Sequence, residues 1–319
     1  MAAMSMSPTE TLSGSVKLRL GTRNSPLAMA QAIETRQRLC EAHGWDEGAV
    51  ELVPVTASGD KVLDRPLAEI GGKALWTKEL DQWLADGRID VSVHSAKDVE
   101  TQRPDVFAFA ACLPRADKRD CLVGAKSIAA IPQGAVVGTS APRRAAQLLN
   151  LRPDCKVVTF RGNVATRLGK LEAGEADVTF LAAAGLERLD QSEVGSPLAS
   201  EEWIPAAAQG VIVIEARVDD AATHAALAPL DNAQARAELE AERALLAALG
   251  GTCHSPVAVL CSGDEARLTM RAAVFSPDGA ERIEGEASFV AGDHGPVENL
   301  AKDLLSRASI AVTEHFQKA

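Results

Sequence analysis

Three groups of residues in this chain have types and spacing suited to chemistry. The stretch Gly138 to Lys170, GTSAPRRAAQLLNLRPDCKVVTFRGNVATRLGK, gathers five arginines and two lysines against a single Asp154, in a chain of net charge −11. A basic island in an acidic protein is placed charge, and arginine's planar fork makes paired bonds to carboxylate or phosphate. The second group, His94-Ser95-Ala96-Lys97-Asp98, follows the apolar run that ends at Val93. A partly shielded carboxylate at a strand end can hold or release a proton near an amine leaving group, which makes Asp98 the candidate acid or base. The plainer alternative is a turn aspartate paired with Lys97, beside a packing histidine at position 94. The third is Cys253, in the small-residue loop Thr252-Cys253-His254-Ser255-Pro256. It is an accessible thiol, weighed against the common fate of a free cysteine as a small buried hydrophobe.

These residues need elements to position them. Lys17 to Leu20 reads as a strand, Gly21-Thr22-Arg23-Asn24-Ser25-Pro26 as a loop, and Leu27 to His43 as a helix. Val136 and Val137, the Gly138-Thr139-Ser140 turn and a helix from Arg144 to Leu151 repeat that order, and strand Glu51 to Thr56 is answered by Lys156 to Phe160. Leu84 to Val93 and Leu171 to Phe180 match as well: each is a helix end at a glycine, then an aspartate, then an apolar strand. The same pieces occurring twice imply two similar α/β lobes, with ligands expected beyond the strand ends where helix N-termini converge. Val106 to Leu113 and Gly210 to Arg217 are apolar strands placed to cross between lobes, and they are the hinge candidates.

From Asn232 the pattern changes. A helix over Ala233 to Leu249 stops at Gly250-Gly251, strand Val257 to Cys261 follows, and Leu268 to Phe275 with Arg282 to Phe289 form a hairpin around Ser276-Pro277-Asp278-Gly279. A last helix is expected from Val297 to Phe316. The resulting division is a flexible tail over 1–15, a first lobe over 16–113 and 211–230, an arginine-rich second lobe over 114–210, and a small α+β domain over 231–319 carrying the cysteine loop.

Composition narrows the ligand. The chain has no tyrosine, seven phenylalanines and four tryptophans, so base stacking and counterion release on nucleic acid are poorly supported. Its first sixteen residues lack a basic and apolar leader, and no uncharged apolar run approaches the roughly 18 residues of a membrane span, so a cytoplasmic protein is expected. Six scattered cysteines show neither CxxC nor His/Cys ligand spacing, which argues for reduced thiols and against zinc. The expected ligand is small and anionic.

In order and approximate spacing, RLGTRNSPLAMAQA, GGKALWTKEL, VHSAKDV, GTSAPRR, RGNVATRL, LAAAGLERL and LGGTCHSPVAV resemble the motifs of the porphobilinogen deaminase family. The resemblance covers essentially the whole chain after the tail. It implies two periplasmic-binding-protein-like lobes and a third domain, and a cytoplasmic monomer that makes hydroxymethylbilane. In that reaction four porphobilinogen units lose ammonia and are joined head to tail on a dipyrromethane cofactor, and the linear tetrapyrrole is then released by hydrolysis. By the same resemblance Cys253 holds the cofactor through a thioether and Asp98 is the catalytic carboxylate. Lys97, Thr139, Ser140, Arg143, Arg144, Arg167 and Arg188 match cofactor-binding positions. Arg23, Ser25, Gln31, Trp76, Arg161 and Gln209 match substrate-binding ones; no metal, nucleic acid or membrane partner is implied.

The charge argument agrees, since each pyrrole carries an acetate and a propionate that an acidic protein would otherwise repel. The chain departs from the family pattern at Ala141-Pro142 (usually Ser-Leu), Trp76 (usually Phe), Glu100 (often Pro), Ala208 (often Gly) and Gly250 (usually acidic). The rival classes are a small-anion binding protein, which needs no Cys253, and a cysteine-nucleophile hydrolase, for which no His/Asn partner is placed.

Overall fold

The computed structural model describes residues 16–56, 77–252, 255–264 and 266–316. The chain runs β1 (Leu18–Arg23), α1 (Pro26–His43), β2 (Val50–Val55), α2 (Lys78–Ala85), β3 (Val91–Ser95) and β4 (Phe107–Cys112). Next come β5 (Asp120–Val123), β6 (Val136–Gly138), α3 (Pro142–Leu151), β7 (Lys156–Val158), α4 (Val164–Glu172), β8 (Val178–Ala182), α5 (Ala183–Glu187) and β9 (Ser196–Pro197). It finishes with β10 (Ile212–Arg217), α6 (Ala221–Leu227), α7 (Ala233–Leu249), β11 (Val257–Gly263), β12 (Arg267–Phe275), β13 (Arg282–Val290), α8 (Gly295–Arg307) and α9 (Ile310–Thr313).

Two five-stranded sheets, ordered β2-β1-β3-β10-β4 and β7-β6-β8-β5-β9, have one plan. In each, three strands are parallel and an antiparallel fourth, β10 or β5, lies against the third. The repeat reaches single hydrogen bonds. Asp90 and Asp177, just ahead of β3 and β8, each accept a backbone N–H of the parallel neighbour, β1 or β6, at 2.7 Å, from Arg19 and Val136 respectively. Each also returns its own N–H to the same residue's carbonyl, at 2.9 and 2.8 Å. In both lobes an aspartate thus pairs the strand-start N–H that the neighbouring strand, beginning later, leaves over. Glycines with positive φ, Gly87 (66°) and Gly174 (74°), end the preceding turn in each lobe.

The strand Lys156 to Phe160 ends earlier than the sequence implies, at Val158, because Phe160 turns in to cover the β6–α3 turn. A Cβ at Gly138 would stand 2.4 Å from that ring, so only glycine fits. The helix expected from Arg144 begins at Pro142, a residue suited to a first helical turn. β4 and β10 are antiparallel neighbours inside the first sheet, and the chain passes between lobes just beyond them, through 113–119 and 205–211.

The third unit is an antiparallel β11-β12-β13 sheet covered by α7 and α8. The helix expected to run unbroken to Phe316 stops at Arg307. Ser309 bonds the Glu281 carboxylate through its N–H, at 2.9 Å, and through its hydroxyl, and α9 restarts after it. Glu242, fully buried on α7, joins this unit to both crossings. It pairs with Arg115 of the outgoing segment at 3.0 Å and accepts N–H groups from Ala208 of the returning one at 2.5 Å and from Cys261 of β11 at 2.9 Å.

Candidate active site

The exits of β1 and β3 make one wall. Ser25 caps α1 by accepting the Ala28 N–H at 3.3 Å, and Gln31 of the same helix donates to the Ser95 hydroxyl at 2.7 Å. The chain leaves β3 through a single tight turn, Ala96–Asp98, which leaves Asp98 half-buried at the cleft. An open cleft of about 380 Å³ is lined there by Arg23, Ser25, Gln31, His94, Ser95 and Asp98 over Leu27 and Val93. His94 is buried, with its Nε2 3.0 Å from the Ser92 hydroxyl. Burial, with Arg103 adding to it, pushes His94 down to about 4, so it is neutral and structural, as the packing reading anticipates.

Across the cleft the second lobe presents its arginines. Arg167 donates from Nε to the Gly162 carbonyl at 3.0 Å, and Arg161 is buried at the end of the segment after β7. Burial pushes the Arg167 guanidinium down to about 10, with Arg144 and Arg161 adding to the effect and Asp98 opposing it. Lys97, beside Asp98, is pushed down to about 8 by burial; Asp98 opposes that as well, and Arg144 adds to it. Lys97, Asp98, Arg144, Arg161 and Arg167 therefore share one electrostatic neighbourhood that spans both lobes. Positive charge is in excess there, and that is a demand for anions.

Arg143 and Arg144 are not surface charges. Both are buried on Asp120, at 2.8 and 2.7 Å, and their other donors meet the carbonyls of Ile204 and Phe180. Asp120, which also takes Trp203 Nε1 at 2.8 Å and Gln209 Nε2 at 2.9 Å, is held far below the usual carboxylate range by these two arginines against its own burial. Gln209 in turn accepts the Lys97 ammonium at 3.2 Å, so the network runs from one lobe to the other through the returning crossing. Asp120 is a neighbour of the site that sequence reasoning missed; the available signal was an aspartate opening the apolar strand Asp120-Cys121-Leu122-Val123. The Nε of Arg144 is buried without a partner among the described residues.

Arg188 stands apart from the cluster, 3.4 Å from Glu34 of α1 and 3.1 Å from the Gly210 carbonyl, tying the lobes at the hinge. Thr139 and Ser140 lie in the β6–α3 turn, where the Thr139 hydroxyl accepts the Ala141 N–H at 3.2 Å. Trp76 and Cys253 lie outside the described residues. Among the described residues there is no cluster able to hold a metal, and no helix is long and apolar enough to cross a membrane.

Two matched lobes that bring cations together around one carboxylate define a class: an α/β protein built to take small polycarboxylates at a hinged cleft. Residues 18–225 match the family model "Porphobilinogen deaminase, dipyromethane cofactor binding domain", and residues 237–307 match "Porphobilinogen deaminase, C-terminal domain". The chain is 53% identical to the porphobilinogen deaminase of Sphingopyxis alaskensis, over 94% of this chain and 96% of that one. It is 47% identical to the one from Paracoccus denitrificans, over 91% and 94%. A TRAP periplasmic solute binding protein from Desulfovibrio salexigens aligns over 72% of this chain and 76% of that one, at 12% identity and a TM-score of 0.43. The two-lobed fold rests on its own sheets and not on that likeness. The chain belongs to the porphobilinogen deaminase family, transferases that make hydroxymethylbilane with a dipyrromethane cofactor.

The described residues fit that cofactor. Its carboxylates need cations with donors to spare, and the lowered Arg167 and Lys97, with the unpartnered Nε of Arg144, supply them.

Proposed function

We propose that this chain is a cytoplasmic, monomeric hydroxymethylbilane synthase in which Asp98 is the acid–base residue and Cys253 the point of cofactor attachment. The observation that supports the reading is that Asp98 and Lys97 of one lobe share an electrostatic neighbourhood with Arg144, Arg161 and Arg167 of the other, joined by the Lys97–Gln209–Asp120 hydrogen bonds. The proposed units are residues 16–113 with 211–230, residues 114–210, and residues 231–319, after a tail over 1–15.

When bound, the dipyrromethane supplies the electron-rich pyrrole carbon to which new units are added. Lys97, Thr139, Ser140, Arg143, Arg144, Arg167 and Arg188 hold its acetate and propionate groups or set the field around them. Arg23, Ser25, Gln31, Trp76, Arg161 and Gln209 receive incoming porphobilinogen, whose carboxylates pair with the arginines in a fork geometry that fixes orientation. Asp98 handles the proton at the aminomethyl nitrogen as ammonia leaves. Ionised, it then faces the positive charge left on the substrate pyrrole, so one carboxylate serves both needs. His94, held neutral, adds no competing cation beside it.

Intact mass of the denatured protein beside Cys253→Ala tests this. The expected result is an added dipyrromethane mass on the unaltered chain only, with a ladder of pyrrole increments after brief exposure to porphobilinogen. Bare polypeptide in both, unchanged by porphobilinogen, would return the small-anion binding reading to first place.

A further inference from the structure

Arg103 closes the segment that follows Asp98, and its side chain is 9% exposed. Nε and one terminal nitrogen grip Glu215 at 2.9 and 2.7 Å, the two terminal nitrogens grip Asp81 at 2.6 and 3.1 Å, and one also meets Glu100 at 2.9 Å. Glu215 is fully buried on β10, opposite Ser92 of β3, at a register shift in the β10–β4 pairing. Asp81 lies on α2. The guanidinium thus pins its segment to β10, the antiparallel strand of the first sheet, and to the helix α2.

The backbone of the same segment is held from the other side. One terminal nitrogen of Arg243, on α7, donates to the carbonyls of Glu100 and Thr101 at 2.7 and 2.8 Å. The Thr101 hydroxyl donates to the Gly251 carbonyl at 3.2 Å, just past the end of α7. Asp98 itself ends a turn closed by only one long bond, Val99 N–H to Ala96 O at 3.3 Å. Ahead of Asp98 the turn is held by the Ala96 N–H on the Val211 carbonyl at 3.0 Å and by Lys97 on Gln209; behind it the anchor is the segment Val99 to Arg103.

We infer that Arg103 is a positioning residue for the transfer reaction: by clamping Val99 to Arg103 between the first sheet and α7, it sets where the Asp98 carboxylate stands in the cleft. This rests on the acid–base reading of Asp98. A displacement of about 1 Å at such a group costs on the order of 10²-fold in rate without a matching loss of substrate binding.

The test uses full-length, cofactor-loaded enzyme, with initial rates over a range of porphobilinogen concentrations and a urea unfolding curve for each variant. Arg103→Leu is expected to lower kcat by about 10²-fold while KM changes by less than about threefold. That variant also strands Glu215 as a buried unpaired charge, so Arg103→Leu/Glu215→Leu is measured with it. The double variant is expected to recover the urea midpoint but not kcat. If it recovers both, Arg103 is only a counter-ion to Glu215 and the inference is overturned. If the double variant does not fold, Arg243→Ala decides, because it frees the backbone of the segment and leaves Glu215 paired; kcat is expected to fall about tenfold at unchanged KM, and a wild-type kcat would overturn the inference. Asp98→Ala run alongside separates the two readings. Wild-type turnover there defeats the acid–base assignment, whereas low turnover there with wild-type turnover in the Arg103 variants defeats only the positioning role.

Discussion

The charge of Asp98 is felt at Lys97 on its own lobe and at Arg167 of the other, with no ion pair to either among the described residues, so its removal should disable chemistry more than binding. Asp98→Ala is expected to lower kcat by about 10²- to 10⁴-fold while the dipyrromethane mass stays on the protein, read by initial rates and intact mass. Lys97 makes the pH dependence specific. Its ammonium is pushed from its ordinary 10.5 down to about 8, so the cation that meets a carboxylate prevails only below about 8. Between those two values the unfolded chain holds a proton that the folded one has lost, so this residue's contribution to stability rises with pH across that window. In the same window kcat/KM should decline, because the free enzyme loses a positive charge from the cleft; Lys97→Met should remove that limb from the pH–rate profile. Lys97 and Asp98 were legible in the sequence because they sit directly after an apolar strand, where α/β folds place ligands. The burial of Arg143 and Arg144 was not, because Asp120, which takes them out of solvent, lies 23 and 24 positions earlier on an unrelated strand.

At the scale of elements, Asp120 holds the start of β5 to α3 and to the returning crossing. Asp120→Ala would leave Arg143 and Arg144 as buried charges without a carboxylate, and should destabilise the protein by about 3–5 kcal/mol in urea unfolding. The returning crossing also carries a strained residue. Ala208 has φ of 61°, a left-handed conformation that disfavours a side chain, and it is buried. Ala208→Gly should raise stability by about 1 kcal/mol, visible as a shift of the urea midpoint at constant slope. The repeat was readable because Gly87 with Asp90 and Gly174 with Asp177 mark the same junction twice, and both pairs meet local backbone demands. The break after Arg307 was not, because the carboxylate that intercepts Ser309 comes from the turn before β13 and not from the helix's own sequence.

For the whole molecule, Glu242 is where the crossings and the third unit meet. Glu242→Ala leaves Arg115 with Glu238, at 2.8 Å, as its one carboxylate beside the Gln209 carbonyl, and strips the acceptor from two buried N–H groups. A loss of about 3–5 kcal/mol is expected, with faster hydrogen exchange in β11 than in β3. Addition of successive units at one carboxylate is expected to shift the lobes about the crossings, where Arg188 to Glu34 at 3.4 Å and Lys97 to Gln209 at 3.2 Å are long polar links; identical lobe positions in intermediates trapped with different numbers of units would count against it. The interleaved strand order bears on how the chain is made. The first sheet cannot complete itself when its first four strands leave the ribosome, because β10 must slot between β3 and β4. The strands of the second sheet are drawn from one unbroken stretch, 120–197, although its buried Asp120 is completed only by Trp203 and Gln209 just beyond it. During synthesis the strands of the second sheet can therefore pair while the first sheet still waits for residue 217, leaving the facing edges of β3 and β4 exposed until β10 arrives.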